Sequence, residues 1–409
     1  MCRCPNVNKT PPAKAAPEGA KPNATPFESV ALLLQGGGAL GAYQAGVYEA
    51  LAEREIEPTW IAGISIGAIN SAIIAGNPPA DRVAKLRDFW EMASAGAQVW
   101  HSLPKALHDG MARSFVNQLA AGVVLTNGVP GFFAPRLPPP PWQPAGTPGA
   151  ISWYDTTPLR PTLERLIDFD RINDNHKMRF SIGAVNVRTG NFAYFDNATD
   201  QIRPEHIMAS GALPPAFPPV EIEGEYYWDG GMISNTPLDW VLSARSELDT
   251  LIFQVDLWSA DGPLPMDLPG VAVRMKEIQY SSRTRSATDT FRQRQKLRAT
   301  FQALLKQMPP ELAATPEARL LADASDPAVY NIVQLIYRSP TYEGESKDYE
   351  FSRQTMEDHW RAGYRDASKT LAHSEVLTLP SEPSGVAVYD FLHPRHEAKS
   401  PAASEKDGQ

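Results

Sequence analysis

The chain has 409 residues, of which 43% are hydrophobic, and it carries a formal net charge of -9. This length and composition are sufficient to bury the core of one large domain or of two smaller ones. The negative charge excludes nonspecific nucleic-acid binding over the whole surface, because such binding needs a basic field that displaces phosphate counterions. We therefore expect no nucleic-acid partner.

The N-terminal segment, residues 1–26, is rich in proline, lysine and alanine, and this composition predicts a disordered arm. Cys2 and Cys4 are the only cysteines, so no disulfide framework staples the fold. The arm lacks the apolar core of a secretory signal, and the chain has no run of about 18 apolar residues to span a bilayer. We expect a cytoplasmic protein, and a peripheral contact with membranes stays open.

The first ordered pattern is a short apolar run at residues 30–34, which is closed by glycines and is typical of a strand buried on both faces. Apolar residues then recur at helical spacing between Tyr43 and Leu51. Further short apolar runs occur at 60–62, 180–185 and 251–255. Strands that alternate with helices predict the α/β class with a central, mostly parallel sheet.

The later segments complete the predicted domain organisation. Prolines and glycines at 131–150 indicate an irregular loop within a main α/β domain of residues 27–245. Residues 246–378 are expected to finish the sheet and then to be mainly helical. The polar, proline-containing segment 379–409 is expected to be a flexible tail.

The glycines after the first strand form the pattern G-x-G-x-x-G from Gly36 to Gly41, between a strand and a helix. This context suits dinucleotide binding, but a nicotinamide enzyme also needs an acidic residue at the end of the second strand, and Gly63 stands there instead. A second use of such a loop is an oxyanion hole built from backbone N–H groups. A tight turn without a ligand is the third interpretation.

Gly63, Ser65 and Gly67 form G-x-S-x-G between a short apolar strand and a helix. Small residues on both sides of the serine allow the strained turn of a nucleophile elbow, which lifts Oγ above the sheet. The hydroxyl needs a base within hydrogen-bond reach. The elbow comes too early in the chain for an α/β-hydrolase triad, and no histidine lies in a recurrent turn signature, so a histidine base is not indicated.

Asp229 belongs to a third motif that contains glycines. It follows the aromatic residues 226–228 and precedes Gly230 and Gly231. Because the glycines put no side chain in its way, its carboxylate can reach a neighbouring loop. An Asp-Gly hairpin turn without a catalytic role is the alternative.

Taken together, the three motifs resemble the patatin-like phospholipase family over about residues 30–240, and the segment 209–220 agrees with it as well. The resemblance implies a three-layer α/β fold, to which the mainly helical C-terminal region is added. It implies Ser65 as nucleophile and Asp229 as general base, in a dyad that uses no histidine, no metal and no cofactor. The other implied site residues are Gly36, Gly37 and Gly38 in the oxyanion hole, with Gly41, Gly63, Gly67, Gly230 and Gly231 as motif glycines.

The implied activity is hydrolysis of lipid carboxylic esters, such as phospholipids or lysophospholipids, through an acyl-enzyme on Ser65. One position departs from the family, since Leu40 stands where Arg or Lys is usual, and this puts any contribution of that cation in doubt. A catalytically weak membrane adaptor with the same fold is the alternative, and a nicotinamide oxidoreductase is a second one. The resemblance assigns no function to the C-terminal region.

A long helix is expected near residues 283–306, where seven basic residues stand against Asp289 alone. Apolar residues from Phe291 to Met308 recur at helical spacing beside the basic ones, as in helices that lie on membrane surfaces. The pattern predicts peripheral contact with anionic lipid. A helix that packs its apolar stripe on the core is the alternative.

Overall fold

The structure is a computed structural model that describes residues 25–96, 110–243, 248–281, 284–324, 328–340, 342–382 and 384–392. All but the last two residues of the predicted N-terminal arm, with both cysteines, lie outside these ranges. So does the chain after residue 392. None of the described helices combines the length and the apolar composition that a bilayer span requires.

Nine strands form the central sheet in the order β11-β10-β9-β1-β2-β5-β8-β7, with β6 also paired to β5, and β3 and β4 form a separate pair. The six strands from β11 to β5 in this order are parallel, whereas β6, β7 and β8 are joined by antiparallel pairing. The strands are β1 (Ser29–Leu34), β2 (Trp60–Gly63), β3 (Ala134–Pro135), β4 (Tyr154–Asp155), β5 (Arg179–Asn186), β6 (Phe192–Asp196), β7 (Val220–Ile222), β8 (Glu225–Asp229), β9 (Thr250–Asp256), β10 (Tyr330–Ile336) and β11 (Val386–Tyr389).

Helices cover both faces of this sheet. They are α1 (Ala42–Glu53), α2 (Ile66–Ala75), α3 (Pro79–Ala93), α4 (Gly110–Asn127), α5 (Leu159–Leu166), α6 (Phe169–Asn173), α7 (Pro204–Ser210), α8 (Leu238–Ser243), α9 (Leu268–Tyr280), α10 (Thr284–Gln307), α11 (Pro310–Ala313), α12 (Pro316–Ala324) and α13 (Arg353–Thr370). The fold is therefore three-layered α/β with a mainly helical C-terminal region.

The alternation of side chains along β1 explains the two buried faces. Leu32 and Leu34 pack into the core beneath α1, α2 and α13, whereas Ala31 and Leu33 pack into the core that includes α8 and Phe291 of α10. Successive side chains of a strand point to opposite sides, so a wholly apolar strand fits only between two helical layers. This confirms the interpretation of residues 30–34 as a central strand.

The C-terminal region is joined closely to the first helix. A Cβ atom on Gly46 of α1 would lie 1.9 Å from the carbonyl oxygen of Trp360, and one on Gly363 of α13 would lie 1.9 Å from that of Tyr43. Glycine at both positions lets the two helix backbones approach to direct contact, because no side chain separates them. The segment 353–370 thereby becomes part of the layer that supports the glycine loop.

The expectation of a flexible tail from residue 379 is wrong for residues 386–389. These residues form β11, which pairs in parallel with β10, and Val386 is fully buried. The short run Val-Ala-Val-Tyr has the β-branched and aromatic composition of a strand, but its partner β10 is distant in the chain. Residues 131–150 are largely irregular, as expected, with short 3₁₀ turns at Pro140–Trp142 and Pro148–Ala150.

Candidate active site

Four segments of the chain meet at the carboxyl ends of the central strands. The chain passes from β1 to β2 on one side and places β9 on the other, so the end of β1 is a topological switch point, where α/β sheets bind their ligands. The glycine loop follows β1, Ser65 follows β2, Trp258 follows β9, and Asp229 ends β8. All of them line one cavity of about 230 Å³. The structure thus brings the three sequence motifs together.

Ser65 occupies a strained turn between β2 and α2. Its φ of 56° and ψ of -123° lie outside the regions that residues other than glycine favour, and such strain is concentrated at functional sites. A Cβ on Gly63 would lie 2.3 Å from the carbonyl oxygen of Gly67, and one on Gly67 would lie 2.2 Å from that of Leu34. Only glycine fits at either position, as the elbow pattern predicts.

Asp229 is buried at the end of β8 and lines the same cavity as Ser65, whose side chain lies close enough to influence the pKa of the carboxyl. The Asp229 Oδ1 atom also accepts a hydrogen bond from the Gly231 N–H at 2.7 Å. Burial raises the pKa of Asp229 from 3.8 to about 7, although the Ser65 side chain and the hydrogen bond from Gly231 oppose this rise. A carboxylate with a pKa in this range is a far better proton acceptor near neutral pH than an exposed aspartate.

The N–H groups of the glycine loop fall into two classes. The Gly36 N–H donates to the carbonyl oxygen of Asn235 at 3.3 Å, and the Ala39 N–H donates to that of Asp348 at 2.8 Å. The Gly37 and Gly38 N–H groups have no hydrogen-bond partner within the described ranges. The expected set of three oxyanion donors is therefore reduced, because Gly36 already uses its N–H to hold the loop.

Steric contacts explain why the loop consists of glycines. A Cβ on Gly36 would lie 2.4 Å from the Asn235 side-chain oxygen, and one on Gly38, whose φ is +55°, would lie 2.0 Å from the Asp348 carbonyl oxygen. Gly41 faces the elbow helix, since its Cβ would lie 2.6 Å from Ile66 Cγ1. At each of these three positions the neighbouring atoms leave room for the glycine hydrogen atoms but not for a Cβ.

Leu40, which stands where the family usually has a basic residue, is fully buried in the main core. A cation at this position would lose its hydration, and burial of an unpaired charge is strongly unfavourable. The position therefore contributes packing beneath the loop and no charge to the oxyanion site.

Ser210 is a supporting residue that sequence reasoning missed. Its hydroxyl accepts a hydrogen bond from the Ser65 N–H at 3.0 Å and donates one to the carbonyl oxygen of Gly183 at 2.7 Å. The fully buried Ser210 side chain therefore ties the elbow to β5. The only sequence signal was its place in the segment 209–220, which agrees with the family.

Asn235 is a second missed residue. Its Nδ2 atom donates to the carbonyl oxygens of Gly36 at 3.0 Å and Tyr280 at 2.8 Å, and Trp258 Nε1 donates to the same Gly36 oxygen at 3.0 Å. These bonds fix the Gly36 carbonyl and connect the glycine loop to the chain after Asp229. The signal in the sequence was the Asn-Thr-Pro that follows the Asp-Gly-Gly motif.

The cavity wall is mostly apolar. Its large apolar residues are Val124, Leu125, Phe132, Phe133, Leu213, Phe217 and Phe351. None of the described histidines lines it, and the described residues contain no group of three or more side chains placed to hold a metal ion. His101, His108, His393 and His396 lie outside the described ranges. The cavity therefore combines an apolar wall with the Ser65 hydroxyl, the Asp229 carboxyl and the free N–H groups of the loop.

Comparisons with known proteins identify the family of the chain. A model of the patatin-like phospholipase family matches residues 32–242, which is more than half of the chain. The chain belongs to the patatin-like phospholipase family. It is accordingly a lipid acyl hydrolase, and the alternative of a nicotinamide oxidoreductase is not retained.

Two further matches were found. A second family model, described as Patatin phospholipase, matches residues 278–382 of this patatin-like hydrolase. Among solved structures, VipD from Legionella pneumophila is similar, with 15% sequence identity, a TM-score of 0.37, and coverage of 89% of this chain and 72% of that chain. No curated protein matches the chain.

The C-terminal region of the patatin-like hydrolase contributes directly to the site. Tyr349 and Phe351 line the cavity, and the buried His359 hydrogen-bonds through Nδ1 with the Ala39 carbonyl oxygen at 3.3 Å and through Nε2 with Glu343 at 3.0 Å. Burial alone would lower the pKa of His359, but the Glu343 carboxylate outweighs it and raises this pKa. This pair supports the end of the glycine loop through the Ala39 carbonyl. His359 does not line the cavity, so it is not placed to act as a catalytic base.

Proposed function

We propose that this patatin-like hydrolase cleaves lipid carboxylic esters through a Ser65–Asp229 dyad. Asp229 accepts the Ser65 proton while Oγ attacks the ester carbonyl, and the Gly37 and Gly38 N–H groups stabilise the oxyanion of the tetrahedral intermediate. The intermediate then expels the alcohol, which takes the proton from Asp229, and an acyl-enzyme is left on Ser65. Asp229 next activates a water molecule that releases the fatty acid.

One observation carries this proposal. Ser65, in a strained turn, shares an apolar cavity with the buried carboxyl of Asp229, whose pKa is raised by burial and influenced by the serine side chain. The apolar wall favours the acyl chain of a phospholipid, a lysophospholipid or a related ester, because transfer of a hydrocarbon chain out of water is favourable. Burial of Asp229 at this cavity raises its pKa and thereby its strength as a base.

A panel of acyl esters that differ in head group and chain length tests the proposal. We expect hydrolysis of at least one lipid ester by the wild-type protein and none above background by Ser65→Ala. A fluorophosphonate ester should label Ser65 in the wild type. Unlabelled, folded wild-type protein with no turnover of any ester would support the catalytically weak adaptor instead.

The pH dependence of turnover follows from the environment of Asp229. Because only the ionised carboxyl accepts the Ser65 proton, and its pKa is about 7, kcat/KM for an uncharged soluble ester should rise between about pH 5 and about pH 8 and then level off. The rise should have an apparent pKa near that of Asp229. A profile that is flat down to about pH 5 would contradict the proposed base.

We also propose that α10 contacts anionic lipid. Phe291 of this helix is buried against Tyr330, with ring centroids 5.0 Å apart, so its first part covers the core. Leu297 and Leu304 are exposed farther along, beside exposed basic residues such as Arg294 and Lys296. Arg283 lies outside the described ranges.

Vesicle sedimentation tests this contact. Wild-type protein should sediment with anionic vesicles at low salt and less at high salt, since salt screens the attraction between exposed charges. Arg294→Gln combined with Lys296→Gln should weaken binding by up to about 30-fold, since each exposed basic residue near an anionic surface contributes about 1 kcal/mol. Equal sedimentation of wild type and variant with anionic vesicles at low salt would assign α10 a structural role alone.

A further inference from the structure

Helix α9 presents its apolar side to solvent and its charged side to the protein. Leu268, Val271, Met275 and Ile278, here called the α9 stripe, are spaced by three or four residues and therefore lie along one side of the helix. All four are exposed, with exposed fractions of 83% for Leu268, 65% for Met275 and 60% for Ile278. No residue of α9 is buried.

The charged residues of α9 bind the body of the protein. Lys276 donates to Asp348 at 2.8 Å, and Glu277 accepts a hydrogen bond from Lys347 at 2.8 Å. Arg274 pairs with Glu277 at 3.1 Å. A surface helix ordinarily buries its apolar side and exposes its charges. In α9 this arrangement is reversed, and the charged residues of the helix are paired. The exposed side of the helix is therefore apolar, which is typical of a binding surface.

The C-terminal end of α9 lies at the active-site cavity. Tyr280, the last residue of α9, lines the cavity, and Asp348, the partner of Lys276, lines it as well. Leu264 and Met266 extend the exposed apolar surface before the helix begins. The helix is therefore fixed by ion pairs to the wall of a cavity that takes a lipid ester.

We propose that the α9 stripe is the surface by which the enzyme inserts into lipid aggregates. A lipid ester lies in a bilayer or a micelle, so an enzyme with an apolar cavity needs an apolar contact beside the cavity entrance to receive the chain without passage through water. The stripe offers no cation, so its binding is hydrophobic and does not require anionic lipid. This inference rests on the proposed function in one respect, namely that the cavity accepts a lipid ester.

The test is Met275→Ser combined with Ile278→Ser, because both side chains are exposed and neither belongs to a hydrophobic cluster of the described residues. Binding to phosphatidylcholine vesicles at high salt, measured by sedimentation, should fall at least about tenfold relative to wild type. Turnover of the same ester presented in vesicles should fall by a similar factor. Turnover of a soluble short-chain ester should not change.

Leu312→Ser combined with Leu320→Ser is the matched control, since these residues are exposed to a similar extent, 56% and 71%, away from the cavity wall. The control variant should bind vesicles as the wild type does. The proposal is overturned if wild-type protein does not bind neutral vesicles, or if both variants lose binding equally. If the wild-type protein were a dimer and the α9 substitutions made it a monomer, the stripe would bind a second copy of the chain. This result would also overturn the lipid-docking proposal.

The two proposals fail in different ways. If soluble ester is hydrolysed but the α9 variant binds vesicles like the wild type, the dyad stands and the docking surface does not. If vesicle binding depends on the stripe but no ester is hydrolysed, the docking surface stands and the proposed reaction does not. Vesicle binding by Ser65→Ala supplies the second measurement, because this variant should bind lipid without turnover.

Discussion

Ser65→Ala and Asp229→Asn are each expected to lower kcat/KM for a soluble ester by about 10³-fold or more, and the double variant should be no worse than either single one. The reason is that the nucleophile and the base act in the same step. Once one of them is removed, removal of the other causes no further loss of rate. Steady-state kinetics with a chromogenic ester measures all three variants. If Asp229→Asn kept more than about a tenth of the wild-type rate, the dyad would be the wrong mechanism.

Thermal unfolding provides the fold control for Asp229→Asn. The raised pKa of Asp229 means that the native state favours the protonated carboxyl. The stability that this preference contributes is present at low pH and is lost as the pH rises from about 4 to about 7, where the buried carboxyl ionises. An amide does not ionise, so at about pH 8 the variant should have a Tm equal to or above that of wild type. A markedly lower Tm would attribute its inactivity to unfolding.

Gly38→Ala is expected to abolish most activity and to destabilise the fold. The new Cβ would lie 2.0 Å from the Asp348 carbonyl oxygen, and the φ of +55° is unfavourable for alanine. Because the loop must move to relieve this contact, the Gly38 N–H leaves its position, and loss of one oxyanion donor costs about 10²-fold or more in kcat. Kinetics and urea unfolding measure the two effects.

Gly190→Ala separates the steric contact from the backbone strain. Gly190 has a φ of +70°, but a Cβ there would meet no atom within 4 Å. This variant should lose only about 1 kcal/mol of stability, the cost of a left-handed alanine, and should keep full activity. If Gly38→Ala behaved like Gly190→Ala in both measurements, the glycine loop would have no part in catalysis.

The strands and motifs around the site could be predicted because their signals are local. The wholly apolar run at 30–34, the glycines around Ser65 and the aromatic residues before Asp229 each specify a backbone conformation within a few residues. The structure confirms the strands at these places. The flexible-tail prediction failed at residues 386–389 because a four-residue run becomes a strand only when a distant partner such as β10 is present.

The supporting contacts could not be predicted in the same way. Ser210, Asn235 and His359 each hold a loop of the candidate site through hydrogen bonds to residues distant in the chain. A serine, an asparagine or a buried histidine carries no local pattern that names its partner. Gly36 is a further example. Its place in the glycine pattern predicted an oxyanion donor, but in the fold its N–H donates to the Asn235 carbonyl oxygen.

By itself, the sequence determined the α/β class and the strained serine turn, because apolar periodicity and glycine spacing are properties of neighbouring residues. The Ser65–Asp229 dyad came from the resemblance to a family and stays a proposal. Only the tertiary structure decided which N–H groups of the glycine loop stay free, how strongly Asp229 holds its proton, and which side of α9 faces water. Each of these depends on burial and on contacts between distant segments. Desolvation and long-range packing depend on contacts between residues that are distant in the chain, so local sequence patterns do not predict them.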